Sequence, residues 1–545
     1  MKRIILLVLC VLLLAVPSYG ATYNIGTDYD TLAAAFDDAK NGIEETGYEP
    51  DPNPEFKFTS SYTSSYTSYG AITINNENIY EPVEDEDPEY PTEITLYDEL
   101  TSITFSGAFT SASGYRHFIV NNSVIPIIFS GMTLTGSSGG GITLTAGTIT
   151  FNGTNKFTSN RAENGGALYI ASDANVTFNS APEFSSNTAT SNGGALYIAS
   201  GATVTLPNGQ AFTSNTAVNG GAIYNAGTLT FSGTSTFESN NASTSGGAIY
   251  SAGQITFTGA PTFKTNGTTS TTNGGAIYAA SGANITFSAA PTLSGNLAEN
   301  GGVFYVDGGA VSFGNYSVTF TGDTTNVTNG GLFYVDSGRV EFAGASTFTK
   351  HIAAANGGVF YVAGGNVIFT GAAVFSTNGL TSATTGGAIY NAGGTITFSS
   401  TAEFSGNTAN NGGAIALSGS AVMPTFSSTV KFTSNSASNN GGAVWSSSAD
   451  ITPTSAYTFS SNTATESGGA IYSESGTITI SGLSIDVVNT ATNGGGGFAA
   501  TNSGTIDVYD SIIKNQVAIA GGALCGRNII IESSDFESNT SNATR

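Results

Sequence analysis

The chain has 545 residues and a net charge of −24, because 38 aspartates and glutamates outnumber 14 lysines and arginines. A nucleic-acid binder, or a protein that adheres to anionic membranes, needs a basic patch on its surface, and this sequence contains none.

Residues 1–20 predict a signal peptide. Lys2 and Arg3 precede an apolar run over residues 4–16, and the small residues that follow suit a cleavage site. The run is too short to span a membrane, and no later segment is long enough, so we expect no transmembrane span after signal removal. Cys10 would leave with this segment, which leaves Cys525 without a partner and the exported chain without a disulfide.

Residues 21–138 predict an N-terminal cap followed by irregular first turns. Thr22–Ile25 is typical of a strand, and Asp30 can cap an amphipathic helix over residues 31–40. The open end of a stack of repeats needs such a cover. The acidic run over residues 81–89 is more typical of a solvated loop than of a calcium site, and we expect no metal and no cofactor.

Residues 139–545 are dominated by a repeat of about 27 residues. A Gly-Gly-small-apolar motif marks each copy after a degenerate start at Gly139. It begins at Gly165, Gly193, Gly220, Gly246, Gly274, Gly301, Gly330, Gly357, Gly386, Gly412, Gly441, Gly468, Gly494 and Gly521.

Each repeat contains three short apolar segments separated by small polar residues. In the copy at Gly220 they are residues 221–224, 228–231 and 236–240, and the last two alternate Thr or Ser with an apolar residue, the period of a strand with one buried face. Three short strands per repeat predict an all-β fold, a right-handed parallel β-helix (β-solenoid) whose turns pair with the turns above and below.

Columns of like residues support this register. Two columns of phenylalanine, which include Phe231 and Phe237, and one of Ile, Leu and Phe, which includes Ile249, should point inward. An asparagine follows the second phenylalanine column by three residues, as Asn240 does, because Asn tolerates a tight corner and can bond its counterpart in the next turn. Asp323 and His351 interrupt this column, where we expect looser corners.

A column of tyrosines directly follows the Ile, Leu and Phe column, so strand alternation should place it outside. It includes Tyr224, Tyr250, Tyr278, Tyr305, Tyr334, Tyr361 and Tyr390. Exposed tyrosines offer amphipathic contact area to a ligand. The alternative is that tyrosine favours strands and stacks on itself, and the two interpretations are compatible.

Candidate catalytic groups are few. Parallel β-helices host polysaccharide lyases and hydrolases, which need carboxylates clustered with Arg or Lys on one face. Only Asp307, Asp336 and Arg339 come close in neighbouring turns, and exposed charge explains them more simply. We therefore expect no catalytic residues.

The repeat motifs resemble those of the chlamydial polymorphic outer membrane proteins. Gly-Gly-Ala-Ile, as at Gly247, Ala248 and Ile249, alternates with Phe-x-x-Asn, as from Phe237 to Asn240, over residues 139–545. The resemblance implies the passenger domain of an autotransporter, a surface adhesin whose motifs take part in host-cell attachment. The chain ends at Arg545 without a counterpart of the β-barrel that closes those autotransporters, so the resemblance covers the passenger part.

We therefore expect a secreted or outer-membrane protein at the cell surface, an adhesin that binds a cell-surface protein or glycan through the motif residues and the tyrosines. A pectin-lyase-like, polysaccharide-active enzyme and a purely structural surface-layer component are the alternatives. We also expect self-association through the incomplete last turn, because an uncovered turn exposes unpaired strand groups.

Overall fold

The structure, a computed structural model, describes residues 22–25, 34–35, 55–58, 72–75, 78–81, 92–95, 102–110, 116–322, 327–380 and 384–542. The predicted signal peptide lies outside these residues. So does most of the predicted capping helix, of which only Ala34 and Ala35 are described, and that helix stays a prediction.

The repeats form a parallel β-solenoid of about 16 turns with about 27 residues in each turn. Successive turns pair in parallel and without slippage along the first strand of each repeat: Ile249 lies beside Ile277, which lies beside Phe304. The all-β parallel fold and its repeat length are confirmed. None of the helical residues that the structure describes forms a segment long and apolar enough to cross a membrane.

Up to four strands follow one another around a turn, and we number the four sets from the glycine pair. The first set is Ile142–Asn152, Leu168–Ile170, Leu196–Ile198, Ile223–Asn225, Ile249–Ser251, Ile277–Ala279, Phe304–Val306, Phe333–Val335, Phe360–Val362, Ile389–Asn391, Ile415–Leu417, Val444–Ser446, Ile471–Ser473, Phe498–Ala500 and Leu524–Cys525. The second set begins within Ile142–Asn152 and continues with Asn175–Phe178, Thr203–Leu206, Thr228–Phe231, Gln254–Phe257, Asn284–Phe287, Ala310–Phe313, Arg339–Phe342, Asn366–Phe369, Thr395–Phe398, Thr425–Phe426, Thr477–Ser481, Thr505–Tyr509 and Asn528–Glu532.

The third set carries the Phe-x-x-Asn motif. It is Lys156–Thr158, Glu183–Ser185, Gln210–Thr213, Ser235–Glu238, Pro261–Lys264, Thr292–Ser294, Val318–Thr321, Ser346–Thr349, Ala373–Ser376, Ala402–Ser405, Val430–Thr433, Tyr457–Ser460, Ser484–Ile485, Ile512–Lys514 and Asp535–Glu537. Before the repeats, the described strands are Thr22–Ile25, Glu55–Phe58, Ile72–Asn75, Asn78–Glu81, Thr92–Thr95, Ile103–Thr110 and Phe118–Thr135.

A fourth set of short strands was not expected from the sequence. It is Arg161–Asn164, Thr188–Asn192, Thr216–Asn219, Asn241–Ser245, Thr408–Ala409, Ser436–Ala437, Thr463–Ala464, Thr490–Ala491, Val517–Ala518 and Thr540–Ser541. The prediction of three strands per turn is therefore wrong for these turns. These strands are rich in Asn, Ser and Thr, and the residue they bury is an alanine such as Ala464 or Ala491. They therefore lack the large apolar residues by which a strand is recognised in a sequence.

The interior consists of the predicted columns. Phe237 is fully buried and its ring lies 5.0 Å from the ring of Phe212 and 4.8 Å from that of Phe263, nearly parallel to both. Phe231 belongs to the other phenylalanine column and meets Phe237 edge to face at 5.7 Å. Stacked contacts along each column and edge-to-face contacts between them are both favourable geometries, so the two columns form one continuous core.

The last described turns differ from the rest at their surface. Asn528–Glu532 is exposed at all five positions, whereas the strand it pairs with, Thr505–Tyr509, alternates buried and partly exposed residues. Ile529, Ile530 and Ile531 are 37%, 50% and 49% exposed. Self-association through these turns stays a prediction.

The inward orientation of phenylalanine and the outward orientation of tyrosine give a direct stability test. Phe237→Ala should cost about 3–5 kcal/mol, since it removes a buried ring and leaves a cavity in a stacked column. Tyr250→Ala should cost clearly less, because its ring is partly exposed. Hydrogen exchange of the surrounding turns measures both losses locally, and losses of equal size would contradict this assignment of faces.

Candidate functional site

The glycine pair of each repeat is required by the backbone. Gly246 has a φ of +66°, in the left-handed region that favours glycine. At Gly247 a Cβ atom would lie only 2.0 Å from the carbonyl oxygen of Gly275 in the next turn, so no larger residue fits. In the run of four glycines near the C terminus, the left-handed position is Gly495, so that motif begins one residue later than Gly494.

The other predicted motif residues are in the interior. Ala248, Ile249, Phe237 and Asn240 have no exposed surface. A macromolecular ligand cannot contact these side chains in the folded chain, so their part in any binding is to hold the surface in place. Of the residues predicted to bind, only the tyrosines have side chains at the surface, with the exception of Tyr305, which is buried at 9% exposure.

Asn240 illustrates the buried asparagine ladder. Its Nδ2 donates to the Oδ1 of Asn266 in the next turn at 3.0 Å and to the carbonyl oxygen of Phe212 in the previous turn at 2.9 Å. Its own Oδ1 accepts from the backbone N–H and the Nδ2 of Asn215. The ladder comprises two runs, Asn160, Asn187, Asn215, Asn240, Asn266 and Asn296, then Asn378, Asn407, Asn435, Asn462, Asn489 and Gln516.

His351 stands where the ladder is interrupted. Its backbone N–H donates to Asn378 Oδ1 at 3.0 Å, as an asparagine there would, but its Nε2 is buried and has no hydrogen-bond partner among the described residues. Burial lowers the pKa of His351 to about 4, and a hydrogen bond with the backbone of Phe320 opposes this shift. His351 and Asn296 line a small cavity. Asp323, the other predicted interruption, lies outside the described residues.

A second asparagine ladder runs along the surface just before the glycine pairs. Asn192 donates to Asn164 at 3.0 Å and Asn219 to Asn192 at 3.1 Å. A further run joins Asn273, Asn300, Asn329 and Asn356. Sequence reasoning missed this ladder because Asn before Gly is also the ordinary signature of a turn.

The tyrosines form a continuous stack on the outer side of the first strand set. Neighbouring rings lie 4.6–5.1 Å apart and within 18° of parallel. The stack comprises Tyr169, Tyr197, Tyr224, Tyr250, Tyr278, Tyr305, Tyr334, Tyr361 and Tyr390. Because each inner ring stacks both of its faces on its neighbours, only ring edges and those hydroxyl groups without a partner in the chain could contact a ligand.

Arg116 covers the first ring of this stack. Its guanidinium carbon lies 5.8 Å from the centre of the Tyr169 ring, and its nitrogens donate to the carbonyl oxygens of Asn164 at 2.9 Å and Gly165 at 3.3 Å. Burial lowers the pKa of Arg116 to about 10, and the electrostatic influence of Tyr169 raises it. Arg116 therefore joins the irregular first turns to the regular stack.

Three hydroxyl groups in the later part of the stack have side-chain partners within the chain. Tyr278 donates to Asp307 at 2.8 Å, and Tyr305 bonds to Asp336. Tyr390 lies 2.6 Å from the hydroxyl of Ser418. Burial raises the pKa of Tyr278 and of Tyr305, and the neighbouring carboxylates raise it further.

The three groups singled out for possible catalysis do not converge. The Arg339 guanidinium contacts Glu341 at 2.7 Å, while Asp307 accepts hydrogen bonds from Tyr278 and from Ser337. The four ion pairs of the described residues are each isolated and partly exposed. In that part of the chain no group of three or more His, Cys, Asp or Glu side chains could hold a metal ion.

Comparison with known families gives one match. A family model for the Chlamydia polymorphic membrane protein (Chlamydia_PMP) repeat matches residues 183–199, 211–226, 234–252, 401–418, 429–447 and 457–474. Each segment contains strand and corner residues of the solenoid. No curated protein and no solved structure matches the chain.

The buried asparagine ladder predicts a large effect for a small substitution. Asn240→Ala should cost about 2–4 kcal/mol, because it removes the side-chain donor to the Phe212 carbonyl oxygen and leaves the buried backbone N–H of Asn215 without its acceptor. Asn179→Ala is the matched control, since the amide of Asn179 bonds to Asn152 at an exposed position and its loss should matter little. Denaturant titration of both variants checks this, and equal losses would show that the ladder does not stabilise the core.

His351 predicts a pH dependence that one substitution removes. Its ordinary pKa of 6.5 applies to the unfolded chain, while burial lowers the folded value to about 4, so the unfolded chain binds the proton more tightly. The stability present above pH 6.5 should fall as the pH falls towards 4. Comparison of melting temperatures at pH 7.5 and 5 should show a smaller decrease for His351→Asn, which can also complete the ladder. The same decrease in both proteins would rule out this origin.

Proposed function

Because the chain carries six repeats of the Chlamydia polymorphic membrane protein family, whose members are outer-membrane or surface autotransporters, we propose that its solenoid is a surface-exposed adhesin. Its ligand would be a protein or glycan on a cell surface. The observation that supports this best is the stack of tyrosines, all partly exposed except Tyr305, which repeats one contact surface along much of the solenoid.

Repetition suits adhesion physically. One tyrosine edge and its hydroxyl group offer a weak contact, but contacts on one rigid scaffold act together through effective concentration. The parallel pairing that sets the spacing of the turns keeps these contacts in line. Binding would then need neither a deep pocket nor a catalytic group.

The alternatives have less support. The matched repeat is not that of a known enzyme family, and Asp307, Asp336 and Arg339 form separate contacts instead of one polysaccharide-cleaving site. A purely structural surface layer would also use stacked tyrosines, but it would require no ligand. Attachment to cells distinguishes that alternative from adhesion.

Progressive replacement of stacked tyrosines by threonine in the full chain tests the multivalent mechanism. Attachment of the purified protein to cultured cells should fall more steeply than in proportion to the number replaced, because effective concentration multiplies the individual contacts. Variants with three, six and nine replacements would be compared, with circular dichroism to confirm folding. Serine in place of the outward-facing Thr205, Thr230 and Thr256 is the control. Attachment that does not depend on the number of tyrosines would contradict this mechanism.

A further inference from the structure

Three of the later tyrosines of the stack, Tyr278, Tyr305 and Tyr390, have side-chain partners for their hydroxyl groups within the chain. Tyr278 bonds to Asp307 and Tyr390 to Ser418. In both pairs the partner lies in the next turn, two residues after the residue that pairs with the tyrosine, which is Tyr305 in one case and Ala416 in the other. Tyr472 follows the same rule with Thr501 at 2.6 Å. We call the position two residues after the tyrosine position of each turn, whether or not a tyrosine occupies it, the flanking column.

The earlier hydroxyl groups point towards the same column but meet alanine there. Since the rings from Tyr169 to Tyr278 are within 9° of parallel, their hydroxyl groups share the direction that takes Tyr278 to Asp307. The flanking column over these turns is Ala171, Ala199, Ala226, Ala252 and Ala280. Alanine offers no hydrogen-bond partner, and within the described residues the hydroxyl groups of Tyr197, Tyr224 and Tyr250 have no side-chain partner.

We propose that the surface formed by Tyr169, Tyr197, Tyr224, Tyr250 and the alanines of the flanking column binds a linear neutral glycan that lies along the solenoid axis. This inference rests on the proposed function, because it names the ligand class of the same surface. The hydroxyl row would donate to glycan oxygens, and the alanine methyl groups and ring edges would contact its C–H groups.

The charges of this surface favour a neutral ligand. Over these turns neither the tyrosine stack nor the flanking column contains a charged residue. The Arg116 guanidinium already contacts the Tyr169 ring and donates to three carbonyl groups. An anionic glycan would therefore find no ion pair and would be repelled by a chain with a net charge of −24. Burial raises the pKa of Tyr197, Tyr224 and Tyr250, so these hydroxyl groups remain proton donors at any physiological pH.

The spacing favours a glycan over an extended peptide. Successive rings lie 4.9, 5.0, 4.9 and 4.9 Å apart from Tyr169 to Tyr278. A pyranose unit in an extended chain has nearly the same repeat, so each unit could meet one tyrosine. A peptide strand advances about 3.3 Å per residue, and its carbonyl groups on one side recur at about twice that distance, out of step with the stack.

Two variants of the full chain test this. Y197F/Y224F/Y250F removes three open hydroxyl groups and keeps every ring, whereas Y316F/Y472F removes two hydroxyl groups that lie outside the stack and already have partners in the chain. Affinity electrophoresis would measure binding to three neutral polysaccharides, hydroxyethylcellulose, galactomannan and amylose, and to heparin as the anionic comparison. Circular dichroism would confirm folding of both variants.

The expected result is binding to at least one neutral polysaccharide, at least tenfold weaker in the first variant and within twofold of the unmodified chain in the second. The proposal is overturned if the unmodified chain binds none of the three, if it prefers heparin, or if the two variants lose binding equally. Cell attachment measured in parallel distinguishes failure of the glycan proposal from failure of the adhesion proposal. Attachment without polysaccharide binding overturns the glycan proposal alone, and no attachment at all overturns adhesion.

Discussion

The whole solenoid depends on a constant register between successive turns. Parallel pairing places each residue directly beside its counterpart about 27 residues later, at the strand spacing of roughly 4.8 Å. Because side chains alternate between the two faces of a strand, a slip of one residue would exchange the interior with the surface. Phe237 stacks on Phe263, Asn240 bonds to Asn266, and Tyr224 stacks on Tyr250 only because the backbone repeats without drift.

Two features of the corners maintain this register. Gly247 and its counterparts allow backbones of adjacent turns to approach more closely than any side chain would permit. The buried asparagine ladder then ties each corner to both neighbouring turns by side-chain and backbone hydrogen bonds. Buried amides stabilise a structure only when all of their groups are paired, and here each amide completes its neighbour. His351 shows the converse, because its ring fills the position and leaves Nε2 without a partner in the described structure.

The sequence predicted the core well, since identical large residues at a fixed spacing reveal both the strand and the face. Phe231, Phe237 and Ile249 are all buried where the column argument placed them. The fourth strand set escaped prediction because a strand such as Asn241–Ser245 has no large apolar residue. Contacts between different residue types in neighbouring turns could not be predicted from the sequence either. The pairing of Arg116 with Tyr169, or of Tyr278 with Asp307, depends on which positions of two turns become neighbours, and spacing within one turn does not contain that information.

The same geometry limits what the tyrosines can do and indicates where variation can occur. Each inner tyrosine stacks both faces of its ring on neighbouring rings, so replacing one ring removes a contact from two neighbours. The side chains of the flanking column do not take part in this stacking, and their identity varies. The column has alanine beside Tyr224 and Tyr250, aspartate at Asp307 and Asp336, and serine at Ser418. The strands beneath it keep the same register throughout. A substitution in the flanking column gives one tyrosine hydroxyl group a hydrogen-bond partner, or removes that partner, and leaves the core residues unchanged. The chemistry of the tyrosine surface can therefore change turn by turn on an unchanged scaffold, and under the proposed function the flanking column would determine which ligand each part of the surface binds.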